Sequence, residues 1–418
     1  MLLLALTGAG IGLSAACWGL ARIPNLVLAP RAFLVLFSLA FLAYGAGTLA
    51  AYHLRSRRSV ALILAIGIVA RLILLPTSPT LSTDAYRYVW DARVASAGID
   101  PYAYPPAAPE LAGLRDANIY PNLNHPTWQT VYPPPAQAFF RAVYWIAPDN
   151  VAAMKLALGI AELLALAALV LLLQALDLPL GRLTIYAWNP LLLVEVWGSG
   201  HLDALVLATV TAAALASARR RDNVAAVLLG LGTLVKLYPA VLYLLLPRRR
   251  RASVVALFTS VLAAGVIVTG GPDHWPFAPI ARFVRDEYFN PGLVRSFVNE
   301  PMLALATTAA WVIAVAWRGG AAHLAVRAVP LVTGVIVLGP NVFPWYAVWL
   351  VPLLAVTPSV PLIVFTGTVA FAYTFFISQP WAIPWWARLV EGAPLGLAAA
   401  RELRAFSVDA HRASDRAH

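Results

Sequence analysis

In the stretch TDAYRYVWDARV, Asp84, Arg87, Asp91 and Arg93 stand three, four and two positions apart. On a helix the first three share one side, close enough for their charges to pair. An exposed helix laced with salt bridges is the ordinary use of such a pattern. Asp84 is, however, the first acidic residue of the chain, and it follows an apolar run almost directly. A carboxylate there can face water while staying beside lipid, which is where a base acting on a lipid-linked substrate belongs. Downstream, NLNHPTWQTVYPPP carries His125 and Tyr132. His125 can assist proton transfer, or serve simply as a hydrogen-bonding residue beside a proline.

A second group, Glu195, His201 and Asp203, flanks the Gly-rich turn in NPLLLVEVWGSGHLDAL. His201 and Asp203 can meet one cavity from that turn. The spacing is not that of a zinc site, so capping is the plainer use of these groups and no metal ligand set is assigned. Lys236, in VKLYPA, sits among apolar residues, where an ammonium must snorkel, pair or meet an anion. A phosphate at a broken helix meets that need. Arg282, Arg285 and Arg295 crowd a later polar stretch, where Arg285 and Arg295 can hydrogen-bond phosphate oxygens or act as plain loop cations. Trp345 and Tyr346, in NVFPWYAVW, fit an interfacial anchor belt or a surface for a sugar ring. No P-loop, dinucleotide fingerprint or nucleophile elbow occurs.

The elements that must hold these residues are membrane helices. Hydrophobic residues make up 61% of the chain and charged residues 12%, with a mean hydropathy of +0.75. Soluble domains run at about half apolar and a quarter charged. A spanning helix takes about 20 mostly apolar residues. Candidates are Leu2 to Gly19, Ala32 to Tyr52, Val60 to Leu75, Val151 to Leu173, Leu183 to Trp197 and Leu202 to Ala216. Val254 to Val268, Leu303 to Trp317, Ala328 to Leu338, Ala347 to Val356 and Pro361 to Phe376 follow. Met1 to Leu20 lacks a basic leader and further spans follow it, so a retained first helix is expected.

The net charge of +11 lies in Arg clusters between apolar runs, which sets orientation and argues against a nucleic-acid partner. With Arg55, Arg57, Arg58 and Arg219 to Arg221 in the cytoplasm, residues 77–135 and 270–301 become outer loops. The first is too rich in Tyr and Trp for a disordered segment. Asn223 to Leu246 has basic clusters at both ends, so a single crossing breaks the charge rule. A re-entrant hairpin turning near Tyr238 and Pro239 is predicted, since proline disfavours helix at the residue before it. The fold class is thus all-α and polytopic, with about eleven to thirteen membrane helices. Cys17, the single cysteine, leaves no internal disulfide to form.

The stretches TDAYRYVWDARVASAGIDPYAYPP, NHPTWQTVYPPPAQAFF, WNPLLLVEVWGSGHLDAL, LGTLVKLYPAVLYLLLP and NVFPWYAVWLVPLL, in that order, resemble the GT-C glycosyltransferases. The likeness is greatest to the bacterial family 87 mannosyltransferases that depend on polyprenyl-phosphate mannose, and it runs from about Val60 to Pro384. It implies two leading transmembrane helices in residues 1–58, a GT-C-like catalytic core in 59–384, and an interfacial or final helix with a polar tail in 385–418. The common core begins near the helix before Asp84, so the two leading helices depart from the family pattern.

What the resemblance implies for function is an inner-membrane, multi-pass enzyme with its active site on the extracytoplasmic side. The expected partners are a polyprenyl-phosphate-linked sugar donor, the sugar being mannose by the family likeness, a lipid or glycan acceptor, and membrane lipids. Asp84 matches the family's base for an inverting transfer, with Asp91 and His125 as further catalytic candidates. Contacts to the donor phosphate or substrate are assigned to Arg87, Arg93, Tyr132, His201, Asp203, Lys236, Arg295, Trp345 and Tyr346. Lys236 and the loop arginines supply charge compensation, so no cofactor is expected and a divalent metal is left open. A secondary transporter is the alternative, since broken helices and midplane charges suit it too. It calls for inverted repeats, which the chain does not display, and the long aromatic loop fits chemistry at an interface better.

Overall fold

A computed structural model describes residues 1–247, 251–318, 323–377 and 379–415. Among them the regular structure is helical, with one isolated antiparallel bridge between Pro291 and Asn341. The first part comprises α1 (Leu2–Ala21), α2 (Pro30–Ala51), α3 (Arg57–Leu74), α4 (Asp84–Ser96), α5 (Pro134–Ile146) and α6 (Val151–Ala175). Next come α7 (Leu183–Ala187), α8 (Pro190–Leu192), α9 (Asp203–Ala218), α10 (Asp222–Val235), α11 (Pro239–Tyr243) and α12 (Arg251–Val268). The rest is α13 (Phe277–Asp286), α14 (Leu293–Phe297), α15 (Pro301–Trp317), α16 (Leu324–Leu338), α17 (Val351–Val356), α18 (Val360–Thr368) and α19 (Trp385–Asp415). Three helices, α1, α2 and α6, are long and apolar enough to cross a membrane unaided, and shorter apolar helices accompany them. This is the make-up of a polytopic membrane protein.

Local sequence explains where α3 and α6 begin. Ser56 caps α3 by accepting from the Ser59 amide at 3.2 Å, and Asn150 caps α6 by accepting from Ala153 at 2.9 Å. The leading helices α1 and α2 lock onto the core through Trp188. Its indole Nε1 donates to the Ile63 carbonyl at 2.8 Å, and a methyl group on Gly47 would come within 2.4 Å of its ring. Inside the bundle Arg71 of α3 donates to both carboxylate oxygens of Glu162 on α6, at 2.9 and 2.5 Å, with both side chains fully buried. Arg71 also donates to the Gly67 and Ala187 carbonyls and Glu162 accepts from Trp197, so the buried pair has hydrogen-bond partners on every side.

The bundle has two chemically different ends. At one, Arg55 pairs with Asp177, the Gly181 amide donates to the Leu54 carbonyl, and Arg182 lies over Tyr52. At the other, the Lys155 ammonium donates to the carbonyls of Leu74, Leu75 and Thr77, tying off α3 where the chain enters the long segment toward Asp84. That segment is ordered as expected, with α4 and two short 3₁₀ turns, Pro109–Leu114 and Tyr120–Asn122.

Two departures from simple crossings shape the site. Leu183 to Trp197, expected as one pass, is broken. Pro190 ends the preceding turn, Asn189 recaps the chain by accepting from the Leu192 amide at 3.2 Å, and Leu193–Gly198 winds as a π-helix. The second departure follows α10, which stops at Val235 with Lys236 extended before Pro239 opens α11. Asn223 meets Ser253, Gly230 faces Val261 and Leu234 faces Gly265, so α12 runs alongside α10 in the same direction. The chain therefore doubles back between them, as the basic clusters at both ends required. Arg248 to Arg250 lie outside the described residues.

Candidate active site

At the Lys155 end a cavity of about 850 Å³ opens among α4, the loop before α5, the start of α9, the α10–α11 break, α13 and the 3₁₀ helix Pro344–Leu350. Asp84, Arg87, His125, Tyr132, Asp203, Lys236, Trp345 and Tyr346 line it, so most of the residues singled out in sequence share one space. Asp91, Arg93, His201 and Arg295 are absent from its lining.

Asp84 opens α4. Its Oδ1 accepts from Asn124 Nδ2 at 2.6 Å, and its Oδ2 lies 3.6 Å from Nδ1 of His201. His201 sits in the turn between the π-helix and α9, reached through Gly200 at φ +75°, a conformation that favours glycine. Its Nε2 is 3.2 Å from Glu195, which is fully buried and accepts from the Tyr373 hydroxyl at 2.8 Å. Burial opposes charge on both members of the Asp84–His201 pair. The partners outweigh it: His201 and Asn124, with the Lys236 charge, hold Asp84 below its ordinary range, while Asp84 and Glu195 push His201 up to about 9.

Lys236 has a partner of its own. Its ammonium bonds both oxygens of Asp203 at 2.8 and 3.0 Å, Trp349 Nε1 donates to the same carboxylate, and the ring of Tyr346 lies 4.4 Å below the charge. Trp345 stacks on His201 at 4.2 Å and on Phe343 at 4.5 Å. Trp345 thus supports His201 while also lining the cavity. Trp349 is likewise stacked between Tyr238 at 3.9 Å and Tyr346 at 4.6 Å.

Residues 1–247 match the model of the MptA_B family, described as alpha-(1->6)-mannopyranosyltransferase, N-terminal domain. The match spans 247 of the chain's 418 residues. The chain belongs to the MptA_B family. No curated protein and no solved structure matches it. Membership supports glycosyltransferase activity with mannose and a membrane setting. The match starts at Met1, takes in α1 and α2, and carries the side of the cavity that holds Asp84, His125, Asp203 and Lys236.

The remaining candidate residues sort by what they touch. Arg87 and Asp91 pair at 2.8 Å and are 4% and 2% exposed, so α4 is a packed wall of the site and no exposed, charge-laced helix. Asp91 also accepts from Gln137 at 2.8 Å, and Arg87 Nη1 donates to the Trp128 carbonyl. Arg87 Nη2 is buried without a hydrogen-bond partner. Arg93 is occupied elsewhere, between Asp149 and Asp116, and its hydrogen bond holds the Asp116 carboxyl well below the usual range. Neither Arg87 nor Arg93 pairs with Asp84, because both guanidinium groups are turned to other partners, and the charges that lower the Asp84 carboxyl are those of His201 and Lys236.

Arg295 is buried with its guanidinium bonded to the carbonyls of Val284, Arg285 and Glu287, which braces the α13–α14 segment away from the cavity lining. His125 pairs with Glu287 at 3.1 Å and stacks on Trp128, bridging the two long loops. Sequence reasoning missed Asn124, Glu287, Trp349 and Tyr373. Asn124 stood beside His125 in a quoted motif, but an amide has no spacing rule that reveals its partner. Among the described residues no three His, Cys, Asp or Glu side chains form a metal-holding group.

Proposed function

We propose that this chain is an inverting GT-C-type enzyme, akin to family 87, which moves mannose from a polyprenyl-phosphate donor to an acceptor hydroxyl at the extracytoplasmic face of the plasma membrane. One observation carries the assignment of the base. Asp84 lines the cavity and is engaged by an amide and an imidazole, whereas Asp203 is taken up by Lys236 and Trp349, and Glu287 by His125. Asp84 is the cavity carboxylate best left to accept a proton.

The step balances as a single displacement. The acceptor O–H gives its proton to Asp84, its oxygen bonds the anomeric carbon, and the bond from that carbon to the phosphate oxygen breaks on the opposite face. Polyprenyl phosphate leaves with the electron pair. Inversion to an α-linked product, the linkage in the family's description, calls for a β-configured donor. Arg87, whose Nη2 has no hydrogen-bond partner, and Lys236 both line the cavity, which supports assigning them to the departing phosphate even though each also holds a carboxylate, Asp91 and Asp203 respectively. The test is the purified chain in detergent, given labelled β-mannosyl phosphopolyprenol and an alkyl α-mannoside. Label appearing in an α-linked product supports the proposal. Transfer from a nucleotide-mannose donor alone would overturn it.

A further inference from the structure

His201 has no task in the displacement just described, yet its placement is specific. Its two ring nitrogens face two carboxylates, Glu195 at 3.2 Å and Asp84 at 3.6 Å, and its face is covered by Trp345 at 4.2 Å. It is 1% exposed. A neutral imidazole has one N–H donor and one acceptor nitrogen. With a carboxylate opposite each nitrogen, the neutral ring would set a lone pair against an anion in a site closed to water, at a cost in free energy. The arrangement suits a charged ring set at ion-pair distance between two carboxylates; His201 Nε2 and Glu195 Oε2 are both buried without a hydrogen-bond partner, so it is charge that ties the ring to Glu195.

The two carboxylates are not equivalent. Asp84 lines the cavity, while Glu195 is fully buried and anchored by the Tyr373 hydroxyl. The ionisable groups around this pair include Tyr88, whose hydroxyl accepts from the Leu202 amide, Tyr132, Tyr346 and Tyr373 from the packed elements, and Asp203 with its partner Lys236. Lys236 is paired with Asp203 and adds a weaker pull on Asp84, so the cation directly facing Asp84 is His201.

We propose that His201 is a fixed imidazolium that holds Asp84 ionised, and that Glu195 is the positioning carboxylate that keeps His201 charged and aimed. The proposal rests on Asp84 being the base. Its consequence is a site that works at low pH: an adjacent opposite charge lowers a carboxyl pKa by roughly one to three units.

Two measurements on the full chain in detergent test this. With histidine labelled by ¹⁵N, His201 should show the imidazolium signature at pH 7.5, and Glu195→Gln should move its titration to lower pH. A neutral His201 in the unaltered protein overturns the proposal, and that readout needs no variant to fold. In the second, kcat/KM is followed against pH with β-mannosyl phosphopolyprenol and an alkyl α-mannoside. His201→Gln should raise the midpoint of the acid limb by roughly one to three pH units while KM for the donor at neutral pH stays put. An acid limb unmoved in folded His201→Gln overturns the role of His201. If Asp84→Asn keeps its turnover, it is the underlying assignment of the base that fails.

Discussion

Lys236 shows how far a single residue can be read from sequence. An ammonium among apolar residues had to find an anion, and the chain supplies one in Asp203, 33 positions away. The need was legible, but the partner was not, because no spacing rule links two residues on different helices. The same holds for Asp84, whose position announced chemistry while Asn124 and His201 came to it only through folding. If Lys236 also meets the donor phosphate, Lys236→Gln weakens donor affinity, and it additionally strands the buried Asp203 carboxylate. The double variant Lys236→Gln, Asp203→Asn should recover much of the lost thermal stability, because it removes the unpaired charge, while donor affinity stays low. Donor affinity equal to that of the unaltered protein, in either folded variant, would reduce Lys236 to a structural cation.

The helices that carry these residues were legible where apolar runs are long and simple, as in α1, α2 and α6. They were less so where the run is interrupted. Leu183 to Trp197 is apolar enough on average to be read as one crossing, and averaging hides the stop that Asn189 and Pro190 impose. By contrast, the doubling back after α10 was readable, because the basic clusters gave evidence that hydropathy could not. The π-helix and the Gly200 turn present His201 to Asp84, so they carry a testable burden. Gly200→Ala must hold a methyl-bearing residue at φ +75° with its Cβ 2.8 Å from Lys155 Cγ. A strained position of this kind costs about 1–3 kcal/mol. The variant should melt earlier and lose activity together, whereas normal melting and normal turnover would show that the turn is not what sets His201.

Across the whole molecule, the cavity and the Arg55–Asp177 contacts lie at opposite ends of one bundle, the segregation that the distribution of arginines called for. Orientation in the membrane is tested in a Cys17→Ser background. Glu110→Cys should react with an impermeant reagent from outside intact cells and Arg219→Cys should not, and the reverse pattern would invert the topology. Membership of the MptA_B family supports the enzyme over the transporter alternative, and of the three carboxylates that line the cavity, Asp84, Asp203 and Glu287, the first is the proposed base. Turnover by Asp84→Asn, set beside monodispersity and donor binding of the same preparation, tests that claim most directly. Removing a general base costs roughly a hundred- to ten-thousand-fold in rate, so transfer should fall by that factor while folding and donor binding persist. Near-normal turnover by the folded variant would contradict Asp84 as the base.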